Sequence, residues 1–507
     1  MSSKIFSATT FGLDSQLIEV EADLIGEAAK FIIVGLPDLA IQEARERVRS
    51  AIKNSGLAFP RTKITVNLAP ADFKKIGPGF DLPIALAVLI AKKSLILSPL
   101  DQQAVFVGEL ALNGDLRPIN GVLSIALLVK EQKIKRLYLP KANASEANLI
   151  KGLEIYSLEN LAQLLEHLKG KLLIKPLLGT DLQITATKNP AITFQKIKGQ
   201  LQAKRALEIC AAGNHNLLMN GPPGSGKTLL ARSLAELLPP LTFEEALEVT
   251  KIYSVSGLLA QKQPLIMTRP FRSPHHTTSS IALVGGGSFP KPGEITLAHR
   301  GVLFLDELPE FPRTVLENLR QPVEDGVVTI ARAAQTLQFP ARFTLVAAAN
   351  PCPCGYLTDA EKECKCTASQ IFKYQKRISG PLLDRFDLQI EVPRLKFIDI
   401  GLTTTTSQIQ YLLHNIHQAR NLQLKRFKDN NLSNFYTNNE INSGNIEQLC
   451  PLDISGQQLL KQAMSKFHLS MRGYHKIIKV ARTIADLATS KNIKTEHLAE
   501  ALQFRIN

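Results

Sequence analysis

A glycine-rich segment, residues 221–228, constrains the fold of this chain more than any other feature. It reads Gly221, Pro222, Pro223, Gly224, Ser225, Gly226, Lys227 and Thr228, with an apolar stretch before it and helical spacing of apolar residues after it. Glycines in such a loop let backbone N–H groups surround phosphates, while the lysine reaches the β and γ oxygens and the threonine hydroxyl binds Mg²⁺. The sequence therefore predicts a strand, a phosphate-binding loop and a helix that hold ATP and Mg²⁺ as cofactors.

Polar residues that could act on the nucleotide follow two later apolar stretches. Asp306 and Glu307 come after residues 302–305, so Asp306 is predicted to join the Mg²⁺ shell and Glu307 to polarise the attacking water. Asn350 ends residues 343–349 and is predicted to reach both the water and the γ-phosphate. Because Pro351 follows it, a plain turn residue is the alternative interpretation of Asn350.

Two arginines are candidates for stabilising the charge on the transferred phosphoryl group. Arg385 follows the predicted sheet, and we expect it to project toward a neighbouring subunit, although Arg377 is a second candidate for that role. Arg472 opens a predicted helix and could reach the γ-phosphate of its own subunit. A surface salt bridge is the alternative interpretation of each arginine.

Length and charge narrow the class of protein. The chain has 507 residues, 45% of them hydrophobic, which predicts several globular domains. It has no apolar run long enough to span a membrane and no basic segment followed by an apolar core at the N-terminus, so we expect a cytoplasmic location with no membrane partner. A net charge of +15 is compatible with a polyanionic partner, and equally with a surface kept soluble by charge.

Four of the six cysteines lie within fifteen residues, at Cys352, Cys354, Cys364 and Cys366. In a reducing compartment, paired thiols at such spacing favour tetrahedral Zn²⁺ over disulfides. The Cys-x-Cys spacing departs from the usual Cys-x2-Cys, and a reduced surface loop is the alternative. Four protein ligands would close the zinc shell, which predicts a structural zinc ion.

Changes of pattern along the chain divide it into three regions and a linker. Residues 1–172 mix strand-like and helix-like stretches, and residues 173–190 lack a clear period and form the predicted linker. Residues 191–395 alternate as in a parallel α/β sheet, and residues 396–507 are mostly helical.

The order of these parts resembles the AAA+ ATPases, within them the magnesium-chelatase-like branch, and most closely the ComM/YifB family. The resemblance extends over essentially the whole chain. It rests on Ile197-Lys198-Gly199-Gln200, Arg272-Ser273-Pro274-His275-His276-Thr277-Thr278-Ser279, Gly285-Gly286-Gly287, Pro292-Gly293-Glu294-Ile295-Thr296-Leu297-Ala298-His299 and Ala481-Arg482-Thr483-Ile484-Ala485-Asp486-Leu487.

The resemblance implies a multidomain α/β fold. Its parts would be an N-terminal Lon protease-like (ribosomal S5 domain 2-like) α+β domain, an AAA+ P-loop α/β core with a presensor hairpin, and a C-terminal helical lid. It also implies the Walker and sensor 1 roles for Lys227, Thr228, Asp306, Glu307 and Asn350. Arg385 would be the arginine finger and Arg472 sensor 2.

By the same resemblance the protein would form a homo-oligomeric ring, usually a hexamer. It would act as a helicase-like ATPase that drives DNA branch migration during natural transformation and homologous recombination, on single-stranded or branched DNA, with recombination proteins as further partners. The ATPase core alone does not separate this function from that of a chelatase-type motor that remodels a protein partner for metal insertion.

Candidate DNA contacts lie in two segments of the predicted core. Residues 327–332 and 336–340 are expected to form the presensor hairpin, where Arg332 would bind phosphate or, equally, the ring interface. Lys291, Arg272 and Arg269 could line the same channel. The adjacent His275 and His276 diverge on any regular element, so polar loop contacts are favoured over a metal site.

The N-terminal region resembles Lon-type domains but lacks the serine and lysine of the proteolytic dyad, which disfavours an ATP-dependent protease. Its function is expected to be ring assembly or DNA contact. Arg45, Arg47, Arg49 and Lys53 could form a basic helix face for DNA, although a solvated charged face is the simpler interpretation.

Overall fold

The protein is described here by a computed structural model that covers residues 2–178, 192–260, 263–287, 290–331, 336–359, 361–395, 404–432, 435–467 and 469–505. The chain forms two compact units. The first comprises residues up to 185 together with Ala246–Ile266, and the second comprises Ala186–Glu245 and Met267–Asn507. Residues 246–266, which fall within the predicted 191–395 region, thus belong to the N-terminal unit, and the core and the C-terminal helices share one unit.

The first unit is built on a mixed eight-stranded sheet in the order β10-β9-β8-β5-β1-β2-β4-β3. The strands of that sheet, together with the separate antiparallel pair β6–β7, are β1 (Ser2–Phe11), β2 (Asp14–Ile25), β3 (Lys30–Val34), β4 (Lys63–Ala69), β5 (Val105–Phe106), β6 (Glu109–Leu110), β7 (Leu116–Arg117), β8 (Arg136–Pro140), β9 (Glu154–Leu158) and β10 (Leu177–Leu178). Its helices are α1 (Leu39–Asn54), α2 (Asp81–Ala91), α3 (Pro99–Gln102), α4 (Val122–Glu131), α5 (Ala144–Ala147) and α6 (Leu161–Leu168).

Two hydrophobic cores lie on this sheet. One contains the buried faces of α1, α2 and α6, and the other contains those of α4 and α5. Helix α1 begins where the Asp38 carboxylate accepts a hydrogen bond from the N–H of Ile41, and Ile41, Ala44 and Val48 recur on its buried side. The opposite side of α1 therefore remains at the surface.

The second unit contains a parallel five-stranded sheet in the order β12-β15-β18-β11-β19. Its strands, with two hairpins, are β11 (Leu217–Asn220), β12 (Phe271–Arg272), β13 (Gly285–Gly286), β14 (Lys291–Pro292), β15 (Val302–Leu305), β16 (Val327–Ala331), β17 (Thr336–Pro340), β18 (Thr344–Ala349) and β19 (Leu388–Glu391). The apolar stretches before the phosphate loop, Asp306 and Asn350 become the adjacent strands β11, β15 and β18. Because these strands are parallel and neighbouring, the residues that follow them meet at one edge.

Helices surround this sheet and form the C-terminal part of the unit. They are α7 (Ile192–Gln195), α8 (Leu201–Gly213), α9 (Lys227–Leu237), α11 (Ser280–Val284), α12 (Glu294–Leu297), α13 (Arg313–Glu317), α14 (Arg320–Asp325), α15 (Ala368–Gln375), α16 (Gly380–Leu383), α17 (Thr406–Asp429), α18 (Ile446–Leu449), α19 (Ile454–Phe467), α20 (Met471–Leu487) and α21 (Thr495–Gln503). Helix α10 (Phe243–Ser256) belongs, from Ala246 onward, to the first unit. Single 3₁₀ turns occur at Pro78–Phe80, Lys141–Asn143, Leu308–Glu310, Asn438–Glu440 and Ser443–Asn445. In the described part of the chain, no helix combines the length and the apolar character that crossing a membrane requires.

The expected hairpin before the Asn350 strand is present. Strands β16 and β17 pair antiparallel from Val327 opposite Pro340 to Ala331 opposite Thr336. Arg332, the predicted phosphate contact, lies outside the described residues.

Candidate nucleotide site

The phosphate loop lies between β11 and α9, as the sequence predicts. Gly226 precedes α9 with φ of +90°, and Gly224 has φ of +79°, conformations that favour glycine. A Cβ on Gly221 would lie 2.2 Å from the carbonyl oxygen of Val392, so only glycine fits beside that strand end. The side chain of Gln200 donates from Nε2 to the Ser225 carbonyl at 2.7 Å. The loop is thus fixed from both sides, with the N-terminus of an eleven-residue helix available to an anion.

Lys227 lies inside this loop and is mostly buried. Its Nζ donates to the carbonyl oxygens of Gly221 at 2.7 Å and Pro222 at 2.9 Å, and to Oδ1 of Asn350 at 3.3 Å. Burial lowers the pKa of Lys227, and the negative charges of Asp306 and Glu307 oppose that shift. The ammonium group therefore has oxygen partners that phosphate oxygens could replace.

The metal side of the site is formed by Thr228 and Asp306. The Thr228 hydroxyl donates to Oδ2 of Asp306 at 2.9 Å, so one cation could bind both oxygens. Together with Lys227, these residues fit the triphosphate and Mg²⁺ that the sequence predicts.

Glu307 has a partner that sequence reasoning did not identify. Its backbone adopts φ of +52°, which is uncommon for a residue with a side chain, and Nδ1 of His276 lies 3.3 Å from its Oε2. The polar contacts expected of the histidine loop are present, and His276 thereby holds the candidate catalytic carboxylate. No spacing in the sequence connects these two residues, which are thirty-one positions apart.

The four clustered cysteines converge directly after Asn350. Their Sγ atoms all lie within 4.8 Å of one another, with Cys352 3.3 Å from Cys354 and both 3.6 Å from Cys364. Tetrahedral Zn–S bonds of about 2.3 Å imply S–S separations of about 3.8 Å, close to these values. Backbone N–H groups of Tyr356 and Lys365 lower the pKa of Cys354 to about 6, whereas burial and the neighbouring thiols raise the pKa of Cys364 to about 12 and also raise that of Cys366. The cluster could therefore hold a metal ion with Cys366 as the fourth ligand.

The cysteine loop also contacts the phosphate loop. Gly355 has φ of +83°, and a Cβ at that position would lie 2.6 Å from Cδ of Pro223. The Cys352–Cys366 loop thus packs against the phosphate loop on one side and continues the Asn350 strand on the other.

The two candidate arginines lie together around one carboxylate. Oε1 of Glu324 lies 2.8 Å from NH2 of Arg385 and 3.1 Å from NH2 of Arg472. Arg385 does not project freely, because its side chain is only 9% exposed and its NH1 donates to the Pro381 carbonyl. Arg472, by contrast, is 57% exposed.

Both arginines line a cavity of about 630 Å³ that also includes Lys476 and Lys479. No residue of the phosphate loop is among the described residues that line it. The structure therefore groups Arg472 with Arg385 and assembles Lys227, Thr228, Asp306 and Asn350 as a separate group. Glu324 carries no sequence signal, since it is an ordinary acidic residue near the end of a short helix.

The remaining predicted basic residues have different environments. Arg272 forms a two-point ion pair with Glu294, at 2.6 and 2.7 Å. Arg269 is largely enclosed, because it forms an ion pair with Glu245 at 3.2 Å and donates to the carbonyls of Pro239 and Arg300, which does not fit the channel lining expected of it. Lys291 is exposed on the short β13–β14 hairpin.

Three family models match successive parts of the chain. The family model described as magnesium chelatase, subunit ChlI, matches residues 193–400, that of the ChlI subunit of Mg-chelatase matches residues 20–143, and that of the ChlI C-terminal part matches residues 406–505. The "Competence protein ComM" of Haemophilus influenzae is 43% identical over 99% of this chain and 97% of its own length. The chain belongs to the ComM/YifB family.

Other similarities place this ComM/YifB member relative to the chelatases. The "Uncharacterized protein YifB" of Escherichia coli is 42% identical over 99% of this chain and 97% of its own length. The "Magnesium-chelatase 38 kDa subunit" of Cereibacter sphaeroides is 24% identical over 43% of this chain and 64% of its own length. As a ComM/YifB family protein, the chain is an AAA+ ATPase of the ComM and chelatase type, for which ATP and Mg²⁺ are the cofactors.

Proposed function

We propose that this chain is the subunit of a hexameric, ATP-driven DNA motor, a helicase that promotes branch migration during natural transformation and homologous recombination. The observation that carries the proposal is the full-length similarity to a competence protein, combined with the assembled nucleotide site. Single-stranded or branched DNA is the proposed substrate, and recombination proteins are the proposed further partners. The cytoplasm is the proposed location.

In the proposed reaction each residue of the site has one role. Lys227 and the loop N–H groups bind the phosphates, Thr228 and Asp306 hold Mg²⁺, and Glu307 polarises the attacking water. Release of Glu307 from His276 would precede that step, because the carboxylate oxygen now faces the imidazole at 3.3 Å. Asn350 would orient the water from the neighbouring strand.

Arg385 and Arg472 would complete the site of the next subunit in the ring. Their grouping away from their own phosphate loop supports this arrangement, and it changes the expectation for Arg472, which sequence reasoning assigned to its own nucleotide. Both guanidinium groups would exchange Glu324 for the γ-phosphate of the neighbour. An arginine acting in this way contributes about 10³ to 10⁵ in turnover.

The hairpin β16–β17 is the proposed DNA-contacting element, with Arg332, Lys291 and Arg272 as candidate phosphate contacts. Arg272 would have to leave Glu294 to contribute, so we assign the larger effect to Arg332 and the exposed Lys291. A structural Zn²⁺ bound by Cys352, Cys354, Cys364 and Cys366 would fix the loop that follows Asn350.

The decisive experiment measures ATP turnover of the assembled protein with no DNA, with single-stranded DNA and with branched DNA. Lys227→Ala is the control, since it removes the ammonium group that binds phosphate. We expect DNA to stimulate wild-type turnover and Lys227→Ala to be inactive throughout. Wild-type turnover that is the same with and without both DNAs would overturn the motor assignment.

A chelatase-type motor that remodels a protein partner for metal insertion is the second candidate, favoured by the three chelatase family matches. The same assay separates the two functions. Stimulation by a protein partner with no response to DNA would select the chelatase-type function.

A further inference from the structure

A basic groove with two aromatic rings lies on the surface of the N-terminal unit. It has a volume of about 790 Å³, and α1, the start of β3 and the segment before β4 contribute its walls. Five exposed cationic side chains line it, namely Lys30, Arg45, Arg49, Lys53 and Arg61, with Glu46 as the single acidic lining residue. The groove is remote in sequence from every residue of the nucleotide site.

Helix α1 carries four basic residues, and only three of them face the groove. Arg47 turns to the other side of the helix, where its Nε lies 2.6 Å from Oδ2 of the buried Asp81 and its NH2 lies 3.0 Å from Oδ1. Arg45, Arg49 and Lys53 instead recur every fourth residue along one exposed face. A rise of about 1.5 Å per residue sets them about 6 Å apart, a spacing suited to successive phosphates of one strand.

Neutralising partners are scarce in this groove. Arg45 donates from Nε to the Gln42 carbonyl at 2.8 Å, and none of the five cations forms an ion pair with a carboxylate within the described ranges. Elsewhere on the same unit, exposed lysines do find such partners, as Lys141 does with Glu159 at 2.5 Å. An ordinary solvated face would not concentrate five unpaired cations from three segments around one concave surface.

The aromatic rings indicate which polyanion fits. Phe31 and Phe59 lie with ring centroids 5.8 Å apart, and both line the groove while remaining half-buried. Rings beside a row of cations are the combination that single-stranded nucleic acids use, because unstacked bases pack on aromatic faces while phosphates meet the cations. A double helix or an acidic peptide would use the charges and leave the rings without a role.

We propose that this groove of the N-terminal unit is a binding site for single-stranded nucleic acid, with phosphates along Arg45, Arg49 and Lys53 and bases against Phe31 and Phe59. The site is formed by different residues from the DNA-contacting hairpin of the proposed motor. It would hold a strand whether or not ATP is being hydrolysed.

The test measures binding of a fluorescein-labelled oligothymidylate to the full-length protein by fluorescence anisotropy, without nucleotide, at several salt concentrations. The test variant is the triple substitution Arg45→Ala, Arg49→Ala and Lys53→Ala. Each single-strand phosphate contact contributes about 0.7 to the slope of log affinity against log salt, so the triple variant should lose about 2 in slope. We expect its affinity to fall at least about tenfold at low salt.

The matched control is the triple substitution Lys130→Ala, Lys133→Ala and Lys135→Ala, which removes the same charge from exposed positions of the same unit. We expect it to bind like the wild type. Circular dichroism and urea unfolding of both triple variants report whether the N-terminal unit is folded, and basal ATP turnover without DNA reports the same for the unit that holds the nucleotide site. An affinity and slope for the groove variant equal to those of the control would overturn the site.

A further variant, Phe59→Leu, separates nucleic acid from an acidic peptide. It should weaken oligothymidylate binding by about five- to a hundredfold and leave competition by poly-glutamate unchanged. The proposal would be overturned if poly-glutamate of equal charge displaced the oligothymidylate and Phe59→Leu did not change the affinity for the oligothymidylate. The groove would then be assigned to acidic peptides. The two proposals can fail separately. If the groove variant loses oligothymidylate binding but DNA does not stimulate the ATP turnover of the wild type, the groove site is supported and only the motor function is refuted.

Discussion

Replacing Gly355 with alanine tests whether the cysteine loop supports the phosphate loop. A Cβ at this position would lie 2.6 Å from Cδ of Pro223, whereas ordinary contact begins at 3.4 Å, a shortfall of about 0.8 Å. The left-handed backbone, with φ of +83°, adds strain of roughly 1–2 kcal/mol for alanine. Either Pro223 or the whole cysteine loop must move, and Asn350 lies at the base of that loop.

The expected result combines a stability loss with a larger loss of function. We expect Gly355→Ala to lower the free energy of unfolding by roughly 1–2 kcal/mol from backbone strain. A displacement near 1 Å at a catalytic site costs up to about 100-fold in rate, so we expect ATP turnover to fall between about 10- and 100-fold. Steady-state turnover, ATP affinity and urea unfolding of the purified variant measure these quantities.

Gly56→Ala is the matched control. Gly56 has φ of +78°, no atom lies within 4 Å of the place where its Cβ would be, and it belongs to the N-terminal unit. This variant carries the strain without the contact, so its turnover should equal that of the wild type. Equal turnover for the two glycine variants would show that Pro223 accommodates the methyl group and that the cysteine loop does not position the phosphate loop.

Three other perturbations test the metal cluster, the arginine pair and a buried histidine. A four-thiol site is expected to bind roughly one zinc ion per subunit, and Cys364→Ser should lower both that zinc content and ATP turnover. Wild-type protein that contains no metal, has four titratable thiols in the cluster and shows full turnover would contradict this. Glu324→Gln should lower the free energy of unfolding by about 1–2 kcal/mol, because its partner Arg385 is buried. The control Glu317→Gln should change it by at most about 0.5 kcal/mol, because its partner Arg320 is more exposed. Equal losses for the two variants in urea unfolding would refute that reasoning. His215 is fully buried, and burial lowers its pKa from 6.5 to about 4. The neutral imidazole is therefore compatible with the fold above pH 6.5, and about 3 kcal/mol of the free energy of unfolding is lost as the pH falls from 6.5 toward 4. His215→Gln should remove that part of the acid sensitivity, and parallel unfolding curves against pH for both proteins would contradict the assignment.

Local pattern was sufficient for much of the ATPase part of the fold. The strand predicted before the phosphate loop, the helix predicted after it, the apolar stretch before Asp306 and the hairpin before Asn350 are all present. These features depend on apolar periodicity and on turn residues, which act over short distances along the chain. The motif also predicted that Thr228 and Asp306 would both bind Mg²⁺, and they meet because β11 and β15 run parallel on either side of β18 in one sheet.

Partners that depend on distant segments were not predictable in this way. His276 faces Glu307 and Glu324 joins Arg385 to Arg472 because loops and helices from separate parts of the chain come together. The four basic residues of α1 looked equivalent in sequence, and the buried carboxylate of Asp81 removed Arg47 from the group. A single residue type gives no indication of whether a distant carboxylate will face it.

The sequence by itself determined the nucleotide chemistry, since the spacing of glycine, lysine, threonine and the acidic pair prescribes a phosphate loop and its metal ligands within local elements. Tertiary structure alone decided which charges pair, which arginines share a cavity and which cations converge on a groove beside two rings. The physical reason is range: periodicity and turn chemistry act between near neighbours in the chain, whereas ion pairing and burial depend on distances that only the packed fold sets.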